Sequence, residues 1–132
     1  MPPASALVID TSSWIAILAA GMPEEVRRAL FAGRVHLPLV VAAELLSGRL
    51  SARDRSALEE GLGGLPVCGA DLGHWFRVGA LRASLAARGL TVSTPDAHVA
   101  QCALDLGAEL LTEDRVFQLV ARHAPLRLAG AG

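Results

Sequence analysis

Four acids in this chain sit where they could do chemistry together: Asp10, Glu44, Asp96 and Asp114. Asp10 ends the apolar run Leu7, Val8, Ile9 and is followed by the small hydroxyl residues Thr11, Ser12 and Ser13. Glu44 lies among Val40, Val41, Ala42, Ala43, Leu45 and Leu46, where an acid is costly unless it is paired, coordinated or facing a cleft. Asp96 follows Thr94 and Pro95, in the first turn of a predicted helix, and Asp114 follows the run Leu110, Leu111, Thr112, Glu113. Each acid also has a plainer reading. Asp10 can start a turn, Glu44 can pair with an arginine, and Asp96 and Asp114 can answer a helix dipole. Taken together, two stand at strand ends, one at a helix start and one on an apolar helix. Two unit charges about 5 Å apart at an effective dielectric of about 20 repel by roughly 3 kcal/mol. The chain contains no lysine to relieve this. A hard divalent cation would, and carboxylates with retained waters suit Mg²⁺, or Mn²⁺ in its place. Such an ion polarises a phosphoryl oxygen and lowers the pKa of a bound water.

Strands alternating with helices must position these acids. Strands are expected at about Ser5 to Asp10, Val35 to Pro38, Leu65 to Cys68, Glu109 to Thr112 and, weakly, Leu126 to Leu128. Helices are expected from Ser12 to Ala20, Glu24 to Phe31, Leu39 to Ser47, Ser51 to Glu60, Asp71 to Arg88, Thr94 to Leu106 and Arg115 to His123. Gly61, Gly63 and Gly64 are read as the end of the fourth helix, and the third helix is apolar enough to be mostly buried. The pattern predicts an α/β fold with a central, mostly parallel five-stranded sheet flanked by helices. In such sheets ligands bind at the carboxyl edge, where Asp10 and Asp114 fall.

Residues 1–132 suit a single domain, with the last few residues expected as a flexible tail. Hydrophobic residues make up 52% of the chain, which points to apolar surface reserved for a partner or a second copy. No apolar run reaches membrane-spanning length, and no signal peptide is evident. Cys68 and Cys102 form no CxxC pair and are expected as reduced core residues of a cytoplasmic protein. The net charge of −1 leaves any nucleic-acid contact to a local set of arginines, with Arg115 beside Asp114 a candidate RNA contact. The four histidines are scattered, and His98 does not share a helix face with Asp96. Neither Ser12 nor Ser13 has a plausible His–Asp arrangement, which removes a serine hydrolase. Thr11 and Ser12 are instead expected to orient Asp10 or a water beside it. Trp75 is expected in the core or at a dimer interface, not as a base-stacking platform.

Four segments carry a resemblance: Val8 to Ser12, Leu37 to Leu45, Asp96 to Leu104 and Gly107 to Asp114. In their order and spacing they resemble the PIN domain, and most closely the VapC-type toxins of prokaryotic toxin–antitoxin pairs. The resemblance covers nearly the whole chain. It implies a PIN-like fold and a Mg²⁺-dependent endoribonuclease that acts as the toxin of such a pair. Asp10, Glu44, Asp96 and Asp114 correspond to the family's acidic quartet, and Thr112 to its polar strand-end residue. It further implies a homodimer and a cognate VapB-like antitoxin that blocks the site. Family members often carry another acid two residues after the fourth; here that position is Val116, so the site has four acids.

Two other readings compete. One is a PIN-like binding module that has lost catalysis, against which stands the retention of all four acids. The other is an aspartate-based phosphotransferase, against which stand the missing lysine and the lack of a second acid two residues after Asp10.

Overall fold

The computed structural model describes residues 5–130. Five strands, β1 (Leu7–Ile9), β2 (Val35–Pro38), β3 (Val67–Cys68), β4 (Glu109–Leu111) and β5 (Arg127–Leu128), form one sheet in the order β3-β2-β1-β4-β5. Every neighbouring pair is parallel. Seven helices connect them: α1 (Thr11–Ala20), α2 (Glu24–Phe31), α3 (Leu39–Leu46), α4 (Ala52–Gly63), α5 (Leu72–Ala87), α6 (Thr94–Leu106) and α7 (Val116–Ala121).

This topology follows from where the chain is apolar on both sides. Leu7, Val8 and Ile9 are all buried, as a central parallel strand requires. From β1 the chain winds outward to β2 and β3, then returns to the other side of β1 as β4 and β5. The crossovers therefore diverge between β1 and β4, and such a switch point opens a crevice at the carboxyl ends of the strands. The register Ile9 to Leu111 brings the residues after these strands side by side, and Asp10 N–H donates to Leu111 O at 3.1 Å.

The helix α6 lies at the centre of the molecule. Residues Ala97 to Ala103 are buried without interruption, because β1, β2 and β4 cover one side and α3, α5 and α7 the others. A helix covered all round must be apolar or internally satisfied all round, and its small residues allow the close approach. Ser93 caps its N-terminus and Pro95 occupies its first turn. Below the crevice, Phe117 is fully buried and pins α7 to the core. Burying such side chains contributes about 1.5–3 kcal/mol each.

Three expectations need correction. The helix α3 is not mostly buried: only Val41 and Leu45, one turn apart, are buried, while Ala43 and Glu44 are exposed. Its apolar composition did not show which stripe meets the core. The helix α4 does not stop before Gly61 but runs to Gly63. Glycine weakens a helix by about 1 kcal/mol per residue. Here Leu62, buried between two glycines, anchors the last turn against the core. Ala129, expected to have nothing to pack against, donates its N–H to Leu110 O at 2.8 Å and extends the β5 pairing. The last two residues of the tail, 131 and 132, lie outside the described residues.

Candidate active site

Asp10 is the anchor of the crevice. It is the N-cap of α1, in extended backbone conformation, and its side chain is 95% buried, with 5% exposure. Burying a carboxylate is tolerated only when its oxygens find donors. Oδ1 accepts from the Ser13 N–H at 3.2 Å and from the Ser12 hydroxyl at 2.6 Å; Oδ2 accepts from the Thr112 hydroxyl at 2.7 Å. An ionised carboxylate has about four acceptor positions, so these donors leave one for a ligand.

The hydroxyls around Asp10 also fix its neighbours. Thr112 Oγ1 accepts the Asp114 N–H at 2.9 Å, and Ser12 Oγ accepts the Glu113 N–H at 3.0 Å. The loop after β4 is thus tied to the start of α1. Asp114 Oδ1 accepts the Val116 N–H at 3.0 Å, a local turn that orients this exposed carboxylate. Glu44 reaches in from the exposed side of α3, and its Oε1 accepts from the Thr11 hydroxyl at 2.7 Å. Thr11 therefore orients Glu44, whereas the sequence reading gave it to Asp10 or a water. Ser12 does orient Asp10, as expected.

Asp96 lies in the first turn of α6, half-buried, with its N–H donated to Ser93 Oγ at 3.2 Å. Its carboxyl is held above the ordinary range, first by burial and then by the negative charges of Asp114, Asp10 and Glu44. Asp96 thus feels the charge of each of the other three acids. Among the described residues none of the four takes part in a salt bridge, so the arginine partner considered for Glu44 is not seen. No histidine among the described residues hydrogen-bonds to any of them. Arg115 is exposed next to Asp114 and caps α7.

The donor set is therefore carboxylate and hydroxyl oxygen, uncompensated by any cationic side chain. It fits a hard divalent ion of the Mg²⁺ or Mn²⁺ kind and offers nothing to a soft one. Ser93, which sets the position of Asp96, was not singled out from the sequence. Ser93 was legible as a small hydroxyl residue three positions before an acid at a helix start.

The architecture, a parallel sheet with acids gathered where its winding reverses, has known counterparts. The PIN domain model matches residues 7–123, and the chain belongs to the PIN domain family. It is similar to the VapC ribonuclease Mb1587 of Mycobacterium bovis and to ribonuclease VapC11 of Mycobacterium tuberculosis. It is 33% identical to each over 130 residues, a span of 93% of this chain and 97% of each relative. Among solved structures, the chain resembles DNA-bound VapBC from Salmonella typhimurium, with a TM-score of 0.75 and 25% identity, over 94% of this chain and 96% of that one. It also shares its fold with VapBC2 from Rickettsia felis bound to a promoter DNA fragment, with a TM-score of 0.73 and 20% identity, over 93% and 96% of the two chains.

Proposed function

We propose that this protein is a Mg²⁺-dependent endoribonuclease and the toxin of a toxin–antitoxin pair. The observation that carries the reading is Asp96, raised by burial and by the charges of Asp114, Asp10 and Glu44 beside the switch point of the sheet, with none of the four in a salt bridge among the described residues. The relatives named as VapC ribonucleases support the substrate class. Asp10, Asp96, Asp114 and Glu44 would hold the ion. When bound, it supplies a Lewis acid for a phosphoryl oxygen and an activated water for attack on phosphorus. The products would be a 3′-hydroxyl and a 5′-phosphate.

The chain's own contribution is preorganisation. Thr112, Ser12 and the Ser13 N–H fix the Asp10 carboxylate before any ligand arrives. Thr11 aims Glu44, and the turn after Thr112 aims Asp114. Groups held in this way need no reorganisation during the reaction. Arg115, exposed beside Asp114, is placed to meet an RNA phosphate.

Two surfaces are left for protein partners. A groove of about 640 Å³ between α1, α2 and α4 is lined by Trp14, Leu18, Met22, Leu30, Leu58 and Leu62. It suits the apolar face of an amphipathic helix from a VapB-like antitoxin. Solved VapBC complexes of similar fold support that partner. Leu72 and Phe76, exposed on α5, suit a homodimer.

The deciding experiment is cleavage of RNA by the purified chain with Mg²⁺, with EDTA, and with the Asp10→Asn variant. Mg²⁺-dependent cleavage to 3′-hydroxyl ends, lost in EDTA and in the variant, is the expected result. Cyclic phosphate ends, or cleavage indifferent to EDTA, would reject the reading.

A further inference from the structure

A second set of chemistry-bearing side chains is buried between the end of β3, the start of α5 and the middle of α6. Cys68 ends β3, His74 lies in the first turn of α5, and Cys102 lies midway along α6. Their exposures are 9%, 1% and 0%. The two sulfurs and a ring nitrogen of His74 all lie within 4.8 Å of one another. Both cysteines are free. Each thiol is shifted first by the other: Cys102 holds Cys68 below its ordinary range, while Cys68 and burial push Cys102 up. Around a tetrahedral zinc ion, with bonds of about 2.0–2.3 Å, neighbouring donor atoms stand roughly 3.3–3.8 Å apart. Donors at the 4.8 Å limit need to close by about 1–1.5 Å to meet that spacing.

The surroundings of His74 are those of a prepared ligand. Its Nδ1 lies 2.8 Å from Asp105 Oδ2. Asp105 is itself held by Arg77 at 2.9 and 3.0 Å and by Gln101 at 2.8 Å. Nδ1–H therefore donates to the carboxylate, and the lone pair of His74 stands on Nε2. A carboxylate that fixes the tautomer of a histidine in this way is the usual outer partner of a metal-bound imidazole. The lone pair now meets His98 Nδ1 at 2.7 Å. His98 stacks on Trp75 with ring centroids 4.5 Å apart. It also presses on Gly69, where any Cβ would collide with its ring and where φ is +99°. Nε2 of His98 faces the Val40 N–H at 3.5 Å, so the hydrogen of this ring sits on Nδ1.

We propose that Cys68, His74 and Cys102 form a second metal site, for a thiophilic divalent ion of the zinc class, distinct from the carboxylate crevice. Two sulfurs and one imidazole are soft and borderline donors, opposite in character to the acids around Asp10. For binding, each thiol gives up its proton, and the His98 ring, 2.7 Å from His74 Nε2, withdraws so that the lone pair meets the metal. Three protein donors and one water complete a four-coordinate ion. His98 Nδ1–H, 3.9 Å from Cys102 Sγ, is then free to donate to the thiolate. The ion would clamp the two-residue edge strand β3 to α5 and α6. This inference stands apart from the ribonuclease reading, and neither fails with the other.

Cobalt titration of the reduced full-length chain tests it. One equivalent of Co²⁺ should give a thiolate charge-transfer band in the near ultraviolet and strong visible bands, both discharged by Zn²⁺. Cys68→Ser and Cys102→Ser should each weaken them, while Asp10→Asn should keep them. Asp105→Asn should weaken zinc binding about 10–100-fold by releasing His74. If the serine variants fail to fold, proton release from the wild-type chain decides. About two protons per zinc at neutral pH are expected, against none for carboxylate binding. Weak bands of oxygen-ligated cobalt alone would overturn the proposal. So would a Cys68–Cys102 disulfide, found as thiols that resist alkylation after unfolding until they are reduced.

Discussion

Thr112 donates its hydroxyl hydrogen to Asp10 Oδ2 at 2.7 Å, across 102 residues of sequence, and accepts the Asp114 N–H at 2.9 Å with the same oxygen. One hydroxyl thus sets two of the four acids. Thr112→Val keeps the shape and removes both bonds. It leaves Asp10 Oδ2, buried and charged, without a donor. The expected loss is about 1–2 kcal/mol of stability, a fall of several degrees in Tm. Activity should drop about 10–100-fold, as for other groups that orient metal-holding ligands. Thr11→Val is the contrast. Its bond to Glu44 is exposed to solvent, so Tm should stay within about a degree while activity falls. Equal losses of Tm in the two variants would show that Thr112 does not hold Asp10 as argued.

Asp10→Asn separates charge from shape. Asparagine is as good an N-cap as aspartate, so the Ser13 N–H keeps an acceptor. The Thr112 hydroxyl can turn to accept from the new amide. What disappears is one of the charges that, along with burial, raise Asp96. The variant should therefore be inactive on RNA, yet melt no lower than the parent in EDTA. Adding Mn²⁺ at about 100 times its dissociation constant should stabilise the parent by about 2.7 kcal/mol and the variant by clearly less. A variant that melts lower than the parent without metal, or gains as much from Mn²⁺, would count against a shared ion site.

Asp10 and Asp96 were legible because each follows a short-range rule, whereas Glu44 was singled out as an acid on a buried helix and is exposed. An apolar run closed by an acid and hydroxyls marked Asp10, and a proline in a helix's first turn marked Asp96. The alternation of strands and helices was legible for the same reason, and only the ends of elements moved, as with α4 around Leu62. Long-range proximity was not legible. Cys68 and Cys102 share no short motif, and His74 reaches them only because β3 ends against the α5–α6 pair. Four histidines read as scattered because no local spacing reports that His74 and His98 face each other at 2.7 Å.

That histidine pair gives the metal-free chain a pH dependence. His98 is pushed down to about 4, first by burial and then by His74. A depressed imidazole stays neutral in the fold but takes up a proton in the unfolded chain. The stability it contributes is present above 6.5 and is lost as pH falls from 6.5 towards about 4. Asp105 acts lower. Although burial raises it, hydrogen bonds from Arg77, Gln101 and His74 bring it to about 2, so its contribution is lost only as pH falls from 3.8 towards about 2. Melting in EDTA between pH 7 and 4.5 should therefore show a falling Tm, and His98→Gln should flatten the curve in that window. A wild-type Tm that is flat between pH 6.5 and 4.5 would contradict the burial of a neutral His98.

The apolar groove makes the final prediction. Leu18 is 58% exposed and lies on the wall of the groove with Met22 and Leu58, away from the hydrogen bonds that hold the crevice. A charge there would meet the apolar face of an incoming helix, which has no polar group to satisfy it. Replacement on an exposed helix surface leaves the fold itself nearly untouched. Leu18→Glu should therefore keep RNA cleavage and Tm while weakening the antitoxin complex by about tenfold or more, roughly 1.4 kcal/mol. Titration calorimetry with the cognate antitoxin reads the affinity, and cleavage at an antitoxin concentration that just silences the parent reads the consequence, since the variant should escape inhibition there. An unchanged affinity would move the antitoxin helix off this groove, and a loss of cleavage in the free variant would place Leu18 in the substrate path instead.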